Sequence, residues 1–343
     1  MTKIEIDEFL KLSEKHPVID VRSPVEFEKG HIPNAINIPL FTNSEREQIG
    51  KKYKESGNEK ATLLGLEMVG PKLTVYINKL KKVTKQKKVL LHCWRGGKRS
   101  ESMAWLFSQV GYEILVLDGG YKRFRNFVLS SFCRKAKIIV LGGMTGSRKS
   151  EILRKIEEKG HQILDLELLA NHKGSAFGSI GKEEQPTVEY FENLLFEKWQ
   201  KFDFSKPIWF EDESATIGKA RIPNELYKQM RNSPVLKISV PIEKRIDKLI
   251  EEYADFDKKI ILSSILKIEK RLGGLNTKRA IEALEKNDFY TLVNLVLNYY
   301  DKAYNFGLSQ RNTDTMFSLK LIDEKIEKNV EIVLDFAKEK MYL

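Results

Sequence analysis

One cysteine lies among cations in a pattern that could do chemistry. Cys93 ends an apolar run over residues 89–92 and precedes a helix-forming stretch. At the end of a strand, facing a helix N-terminus, a thiol is held by cations and by the helix dipole in its anionic, nucleophilic form, and glycine N–H groups can converge on an oxyanion. We therefore expect Cys93 to be catalytic and the residues after it to bind an anion: Trp94, Arg95, Gly96, Gly97, Lys98 and Arg99.

The segment upstream supports an α/β module around this loop. Short apolar runs near residues 18–21 and 35–38 flank a helix with Ser23 as the predicted N-cap and Pro24 at its first position. Together with the Gly30-His31-Ile32-Pro33 turn, this segment resembles the rhodanese signature. The spacing Cys93-x5-Arg99 is also that of cysteine-dependent phosphatases, in which the arginine grips phosphate. That alternative lacks a general acid in the loop, although folding could bring Asp118 close.

A second phosphate-binding pattern begins after residue 137. An apolar strand over residues 138–141 leads into a glycine-rich turn and then Lys149-Ser150, which opens a helix. The pattern G-x-x-x-x-G-K-[ST] starts at Gly143, but Arg148 takes the place of its second glycine, where a bulky side chain would either crowd the phosphates or require an altered backbone path. The predicted phosphate-binding residues are Gly143, Thr145, Gly146, Ser147, Arg148, Lys149 and Ser150.

An acidic strand end is the third feature. The apolar run 207–210 leads into Glu211-Asp212-Glu213, and such a strand beside a P-loop commonly places a carboxylate near phosphate and metal. Glu211 and Asp212 are both candidate acidic partners, and the sequence does not decide between them. No residue is predicted as a metal ligand, and the need for magnesium stays open.

Composition sets outer bounds on function. The 343 residues carry 59 Lys+Arg against 48 Asp+Glu, a net charge of +11 that can attract phosphate-rich partners. Two cysteines, Cys93 and Cys133, indicate a reducing cytoplasm, and the apolar runs are too short to predict a membrane span.

The motifs divide the chain into three parts. We predict an α/β fold with a rhodanese-like domain over residues 1–130 and a P-loop parallel-sheet domain over 137–240. Beyond Pro241, apolar residues recur every three or four positions, which predicts a helical C-terminal region, 241–343, packed on the P-loop domain.

This combination of motifs resembles the tRNA 2-selenouridine synthase family over nearly the whole chain. The resemblance is carried by the Cys93 loop, by the residues 117–122, by the P-loop, and by segments such as 172–178, 211–214 and 271–274. It also includes a long insert, residues 42–69, that a plain rhodanese lacks.

The resemblance implies a tRNA-modifying transferase, both geranyltransferase and selenotransferase. Such an enzyme converts wobble 2-thiouridine to 2-selenouridine through an S-geranylated intermediate, with geranyl diphosphate and selenophosphate as substrates and no tightly bound cofactor. Cys93 would serve selenium transfer, and the P-loop would hold the diphosphate. Two alternatives remain: a plain rhodanese-type sulfurtransferase relaying persulfide, and a nucleotide-binding regulatory protein with a rhodanese module. The oligomeric state is not predicted.

Overall fold

The structure, a computed structural model, describes residues 1–321 and 325–341. The chain forms two compact units. The first comprises residues 1–131 with 192–197, and the second comprises 132–191 with the described part of 198–343. Within the described ranges, no helix has the length and apolar character needed to cross a membrane.

The first unit alternates strands and helices. In chain order its elements are β1 (Thr2–Ile4), α1 (Ile6–Ser13), β2 (Val18–Asp20), α2 (Pro24–Lys29), β3 (Ile36–Asn37), α3 (Asn43–Val69), a 3-10 turn (Gly70–Lys72), α4 (Leu73–Val83), β4 (Lys88–His92), α5 (Lys98–Ser108), β5 (Glu113–Leu117) and α6 (Gly120–Ser131). Ser23 is the N-cap of α2 and Pro24 its first residue, as predicted, and the long insert over residues 42–69 forms α3.

Five parallel strands form the sheet of this unit, in the order β1-β5-β4-β2-β3. Strands β4 and β5 are almost continuously apolar and buried, as expected for strands covered by helices on both faces. Cys93 follows β4 directly, so the thiol lies at the carboxyl edge of a central strand, where α/β sheets place their ligand sites.

The second unit begins with the P-loop strand. Its elements are β6 (Ile138–Gly143), α7 (Lys149–Glu158), β7 (Gln162–Leu164), α8 (Leu166–Leu169), α9 (Val188–Trp199), β8 (Ile208–Glu211), β9 (Thr216–Ile217), β10 (Ala220–Arg221), α10 (Asn224–Asn232), β11 (Val235–Ser239), α11 (Ile242–Tyr253), α12 (Lys258–Lys267), α13 (Glu269–Leu272), α14 (Gly274–Glu285), α15 (Phe289–Ser309), a 3-10 turn (Thr313–Thr315), β12 (Met316–Lys320) and α16 (Ile326–Lys340). Residues 192–197 of α9 group with the first unit.

The main sheet here is also parallel, with the order β12-β11-β6-β8-β7. Because β6, β8 and β7 are neighbours, the P-loop, the acidic end of β8 and the residues after β7 meet at one carboxyl edge. The predicted α/β class, with two parallel sheets and a helical C-terminal part, is confirmed. That helical part also contributes the edge strand β12, which its helical spacing did not indicate.

Candidate active sites

The Cys93 loop spans the end of β4 and the start of α5. The Cys93 side chain is buried, and its Sγ lies 3.2 Å from the Ser100 hydroxyl, one turn into α5. The Ser100 hydroxyl is also 2.8 Å from the Gly97 carbonyl oxygen. Helix α5 thus begins directly at the sulfur, with its N-terminal dipole toward it, as the sequence predicts.

A second turn, residues 117–121, packs against the Cys93 loop. The N–H of Tyr121 donates to the Cys93 carbonyl at 2.8 Å, and Gly96 and Gly120 both have positive φ. A Cβ on Gly120 would lie 2.5 Å from the Cys93 carbonyl oxygen, and one on Gly96 would lie 2.7 Å from the Leu117 carbonyl oxygen. Only glycine therefore fits at these two contacts, which fix the path of the backbone around the thiol.

The three cations of the loop are not equivalent. Arg99 forms a forked pair with Glu26, at 2.6 and 3.3 Å, and Lys98 donates to Asn58 and Thr62 on the insert helix α3. Although burial opposes it, the Arg99 guanidinium lowers the pKa of Glu26.

Arg95, in contrast, is exposed and makes no hydrogen bond or ion pair with any residue in 1–321 or 325–341. An incoming anion would therefore meet Arg95 first. Asp118, the acid considered for a phosphatase, is exposed in the supporting turn, and Trp94 packs against the Tyr121 ring at 5.8 Å.

Asp20, Arg22 and His92 form a buried cluster next to the Cys93 loop. Asp20 and Arg22 pair at 2.6 Å with both side chains enclosed, and Arg22 stacks on Tyr121 at 3.6 Å. Burial lowers the pKa of the neighbouring His92, so its ring is neutral near pH 7. His31 stacks on Phe27, with Nδ1 3.0 Å from the Phe27 carbonyl oxygen, which gives it the role of a turn residue. The cluster therefore supports the loop that carries Cys93.

The P-loop of the second unit holds its arginine at a backbone position with positive φ. Arg148 adopts the left-handed conformation, φ 63° and ψ 26°, which glycine would favour at this position. Its guanidinium makes two hydrogen bonds of 2.7 Å to Glu151, on the first turn of α7. The departure from the motif is therefore accommodated by a strained backbone and an ion pair within the loop.

Lysine, serine and three carboxylates converge beside this loop. The Lys149 ammonium donates to the Gly143 carbonyl at 2.8 Å and lies 3.7 Å from Glu211, and the Ser150 hydroxyl is 3.2 Å from Glu211. Carboxylate oxygens of Glu167, Glu211 and Glu213 all lie within 4.8 Å of one another. We name these three residues the glutamate triad.

Crowding of like charges changes how the triad ionises. Burial, reinforced by the Glu213 carboxylate, raises the pKa of Glu167 to about 8, and burial and neighbouring carboxylates also raise the pKa values of Glu211 and Glu213. A divalent cation would relieve this repulsion, and oxygen ligands of this kind fit Mg²⁺. Gly174 approaches so closely that a Cβ would lie 2.8 Å from Glu213, so the loop over residues 172–178 covers the triad.

Asp212 has a different function from Glu211. Its carboxylate pairs with the buried Arg311 and accepts a hydrogen bond from Tyr304 at 3.2 Å. Asp212 therefore ties β8 to the C-terminal helices, while Glu211 faces the P-loop.

Comparison with known proteins shows the family of the chain. Residues 136–331 match the family model of the tRNA 2-selenouridine synthase AAA domain, and residues 5–127 match the rhodanese-like domain. Similar proteins include the tRNA 2-selenouridine synthases of Nitrosomonas europaea (30% identical, covering 88% of this chain and 91% of the relative), Sulfurovum sp. (35%, 88% and 91%) and Bdellovibrio bacteriovorus (32%, 92% and 96%). The chain belongs to the tRNA 2-selenouridine synthase family. The predicted resemblance is confirmed.

Within this family assignment, the structure gathers the predicted residues into two groups. Residues 93–99 form one loop in the first unit, and residues 143–150 with Glu211 form the other site in the second. The sequence did not identify Glu167 or Glu213 as site residues, nor Arg245, whose Nε–H donates to the Thr145 carbonyl at 2.9 Å. Alternation along β8 offered a signal for Glu213, because residues 211 and 213 point to the same side of an extended chain.

Proposed function

We propose that this protein converts the wobble 2-thiouridine of tRNA to 2-selenouridine in two steps, geranylation at the P-loop and selenium transfer at Cys93. The observation that carries the proposal is that one chain of this family has two loops with anion-binding patterns and different chemistry. One has a thiol and no acidic residue within its loop, and the other has a lysine, a serine and the glutamate triad.

In the first step, sulfur of 2-thiouridine bonds to C1 of the geranyl group as the C1–O bond breaks. The electron pair leaves on diphosphate, and N3 of the base loses its proton. Lys149 and the backbone N–H groups at the start of α7 stabilise the departing charge, since they are oriented before the reaction. The glutamate triad would hold Mg²⁺, which would supply further charge neutralisation at the diphosphate.

In the second step, selenium of selenophosphate bonds to C2 of the base as the C2–S bond breaks, and Cys93 passes the proton of the selenophosphate to the departing thiolate, which leaves as geranylthiol. Water then cleaves the selenium–phosphorus bond and releases phosphate. Arg95 and the N-terminus of α5 would attract the selenophosphate anion to Cys93, because Arg99 and Lys98 already have protein partners.

The test separates the two steps with two variants and two matched controls. Lys149→Ala should lower the geranylation rate about a hundredfold, the usual cost of one oriented group in a transition state. The same variant should still convert tRNA supplied already geranylated. Cys93→Ser should accumulate geranylated tRNA. Nucleoside mass spectrometry measures both products.

The controls are Lys155→Ala, a partly exposed lysine of the same helix, and Cys133→Ser, the exposed second cysteine. Both controls should behave as wild type. Near-normal geranylation by Lys149→Ala, or 2-selenouridine at wild-type levels from Cys93→Ser, would refute the assignment. Equal loss of both steps in both folded variants would refute the division between the sites.

A further inference from the structure

A cavity of about 770 Å³ extends from the P-loop into the C-terminal helices. One end is polar and is lined by the P-loop and the glutamate triad. Helices α11, α12 and α15 line the rest of the cavity with the apolar side chains Leu249, Ile250, Ile261, Phe289, Leu292 and Val296, and α11 also contributes the polar Lys248, Glu252 and Tyr253. The six apolar side chains offer neither a hydrogen-bond donor nor an acceptor, so the end that they line suits a hydrocarbon better than a nucleobase.

Helix α15 forms a long wall of the cavity. Tyr304 lies near the P-loop strand, since a Cβ on Gly142 would be 2.7 Å from its hydroxyl, and Leu292 lies toward the other end of the helix. Both line the cavity. At about 1.5 Å per residue, they stand about 18 Å apart along the helix axis. The cavity is therefore elongated, with the phosphate site at one end.

A buried arginine fixes this wall to the P-loop. Arg245 of α11 is 3% exposed; it donates to the Thr145 carbonyl and forms a forked pair with Asp301 of α15 at 2.7 and 3.0 Å. Helices α11 and α15 are thus held at a set position relative to the phosphate-binding turn. A ligand with a phosphate head and an apolar tail would meet a preformed site.

We propose that the apolar end of this cavity holds the isoprenoid chain of the allylic diphosphate, and that Leu292 and Val296 determine the chain length accepted. This inference rests on the proposed function and names the residues that select its substrate. Leu292 and Val296 are 3% and 8% exposed and belong to the same apolar cluster as Ile261, so the wall they form is firmly packed. A change in their volume therefore changes the space left for the chain.

The experiment compares affinities of the full-length chain for dimethylallyl, geranyl and farnesyl diphosphates and inorganic diphosphate, by calorimetry. Val296→Phe should lower the affinity for geranyl relative to dimethylallyl diphosphate by about tenfold or more, and Leu292→Ala should raise the affinity for farnesyl relative to geranyl diphosphate similarly. Inorganic diphosphate should bind all variants alike, because its contacts lie at the P-loop.

The matched control is Leu284→Ala. Leu284 is also a leucine, 3% exposed and in the same cluster, but it does not line the cavity. This variant should lose stability while keeping the wild-type order of affinities. Thermal unfolding verifies that each variant is folded, and the two cavity variants change volume in opposite directions, so one misfolded variant leaves the other as the test.

The outcomes distinguish this inference from the proposed function. Unchanged chain-length preference in both folded cavity variants, with geranylation by the wild type, overturns the chain pocket alone. A wild type that binds allylic diphosphates with this preference but does not geranylate tRNA overturns the proposed function alone. ATP is titrated as a further ligand, and if it binds more tightly than every allylic diphosphate with an affinity that depends on Leu292, the pocket assignment is overturned.

Discussion

Position 148 gives a sharp test of the P-loop backbone. Arg148 is one of four non-glycine residues with positive φ among residues 1–321 and 325–341, and it stands where the motif has glycine. We predict that Arg148→Gly is more stable than Arg148→Ala. Both variants lose the pair with Glu151, so that contact cancels in the comparison.

The magnitude follows from two opposing terms. A left-handed conformation costs an alanine about 1–2 kcal/mol relative to glycine. Glycine loses more backbone entropy on folding, which costs about 0.5–1 kcal/mol. Glycine should therefore be favoured by about 0.5–1 kcal/mol at position 148. At Lys155, inside the regular part of α7, the same pair of substitutions should favour alanine by about 1 kcal/mol.

The four variants carry glycine or alanine at position 148 or at position 155. Urea unfolding followed by tryptophan fluorescence measures the difference in unfolding free energy between glycine and alanine at each position. If glycine is the more stable residue at position 148 and alanine at position 155, the left-handed backbone conformation at position 148 is supported. Alanine more stable than glycine at both positions would refute it. Diphosphate affinity gives a functional readout: because Glu151 already holds the Arg148 guanidinium, Arg148→Gly should weaken binding much less than Lys149→Ala does.

Three further predictions concern charges. Asp212→Asn leaves the buried Arg311 without its counter-charge and should cost about 3–5 kcal/mol in urea unfolding, and a cost below about 1 kcal/mol would contradict a structural function for this pair. Because burial and Glu213 raise the pKa of Glu167 from 4.5 to about 8, the folded state without metal keeps a proton that the unfolded chain has released, so stability should fall as pH rises from about 5 to 8. Thermal unfolding in a chelator should show that Glu167→Gln loses less stability over this pH range than the wild type. An equal loss in both proteins would contradict the assignment to Glu167. Affinity for tRNA should fall log-linearly with salt if the +11 charge engages phosphates, and a flat response between about 50 and 200 mM would show that it does not.

Much of the fold could be predicted because its signals are local. The buried strands β4 and β6 are continuous apolar runs, and Ser23 with Pro24 marks the start of α2. Strand β12 is different: it is short and only partly buried, and it follows a long helical pattern. Its position is determined by pairing with β11, far away in sequence, which no local pattern indicates.

The same distinction separates the predicted site residues from those that only the structure brings together. The Cys93 loop and the P-loop are contiguous, so spacing alone indicates an anion site. The glutamate triad combines α8, which follows β7, with the end of β8, and only the strand order places these beside β6.

Strand geometry then resolves the choice that the sequence left open. After β8, the carboxylates of residues 211 and 213 meet that of Glu167 beside the P-loop, whereas the carboxylate of residue 212 pairs with Arg311. The two glutamates therefore belong with Lys149 and Ser150, and the aspartate belongs to the packing of the C-terminal helices. Side chains alternate along this acidic run, so Glu211 lies beside the P-loop and Asp212 pairs with Arg311. Removing the charge of Glu211 should therefore affect activity, and removing the charge of Asp212 should affect stability.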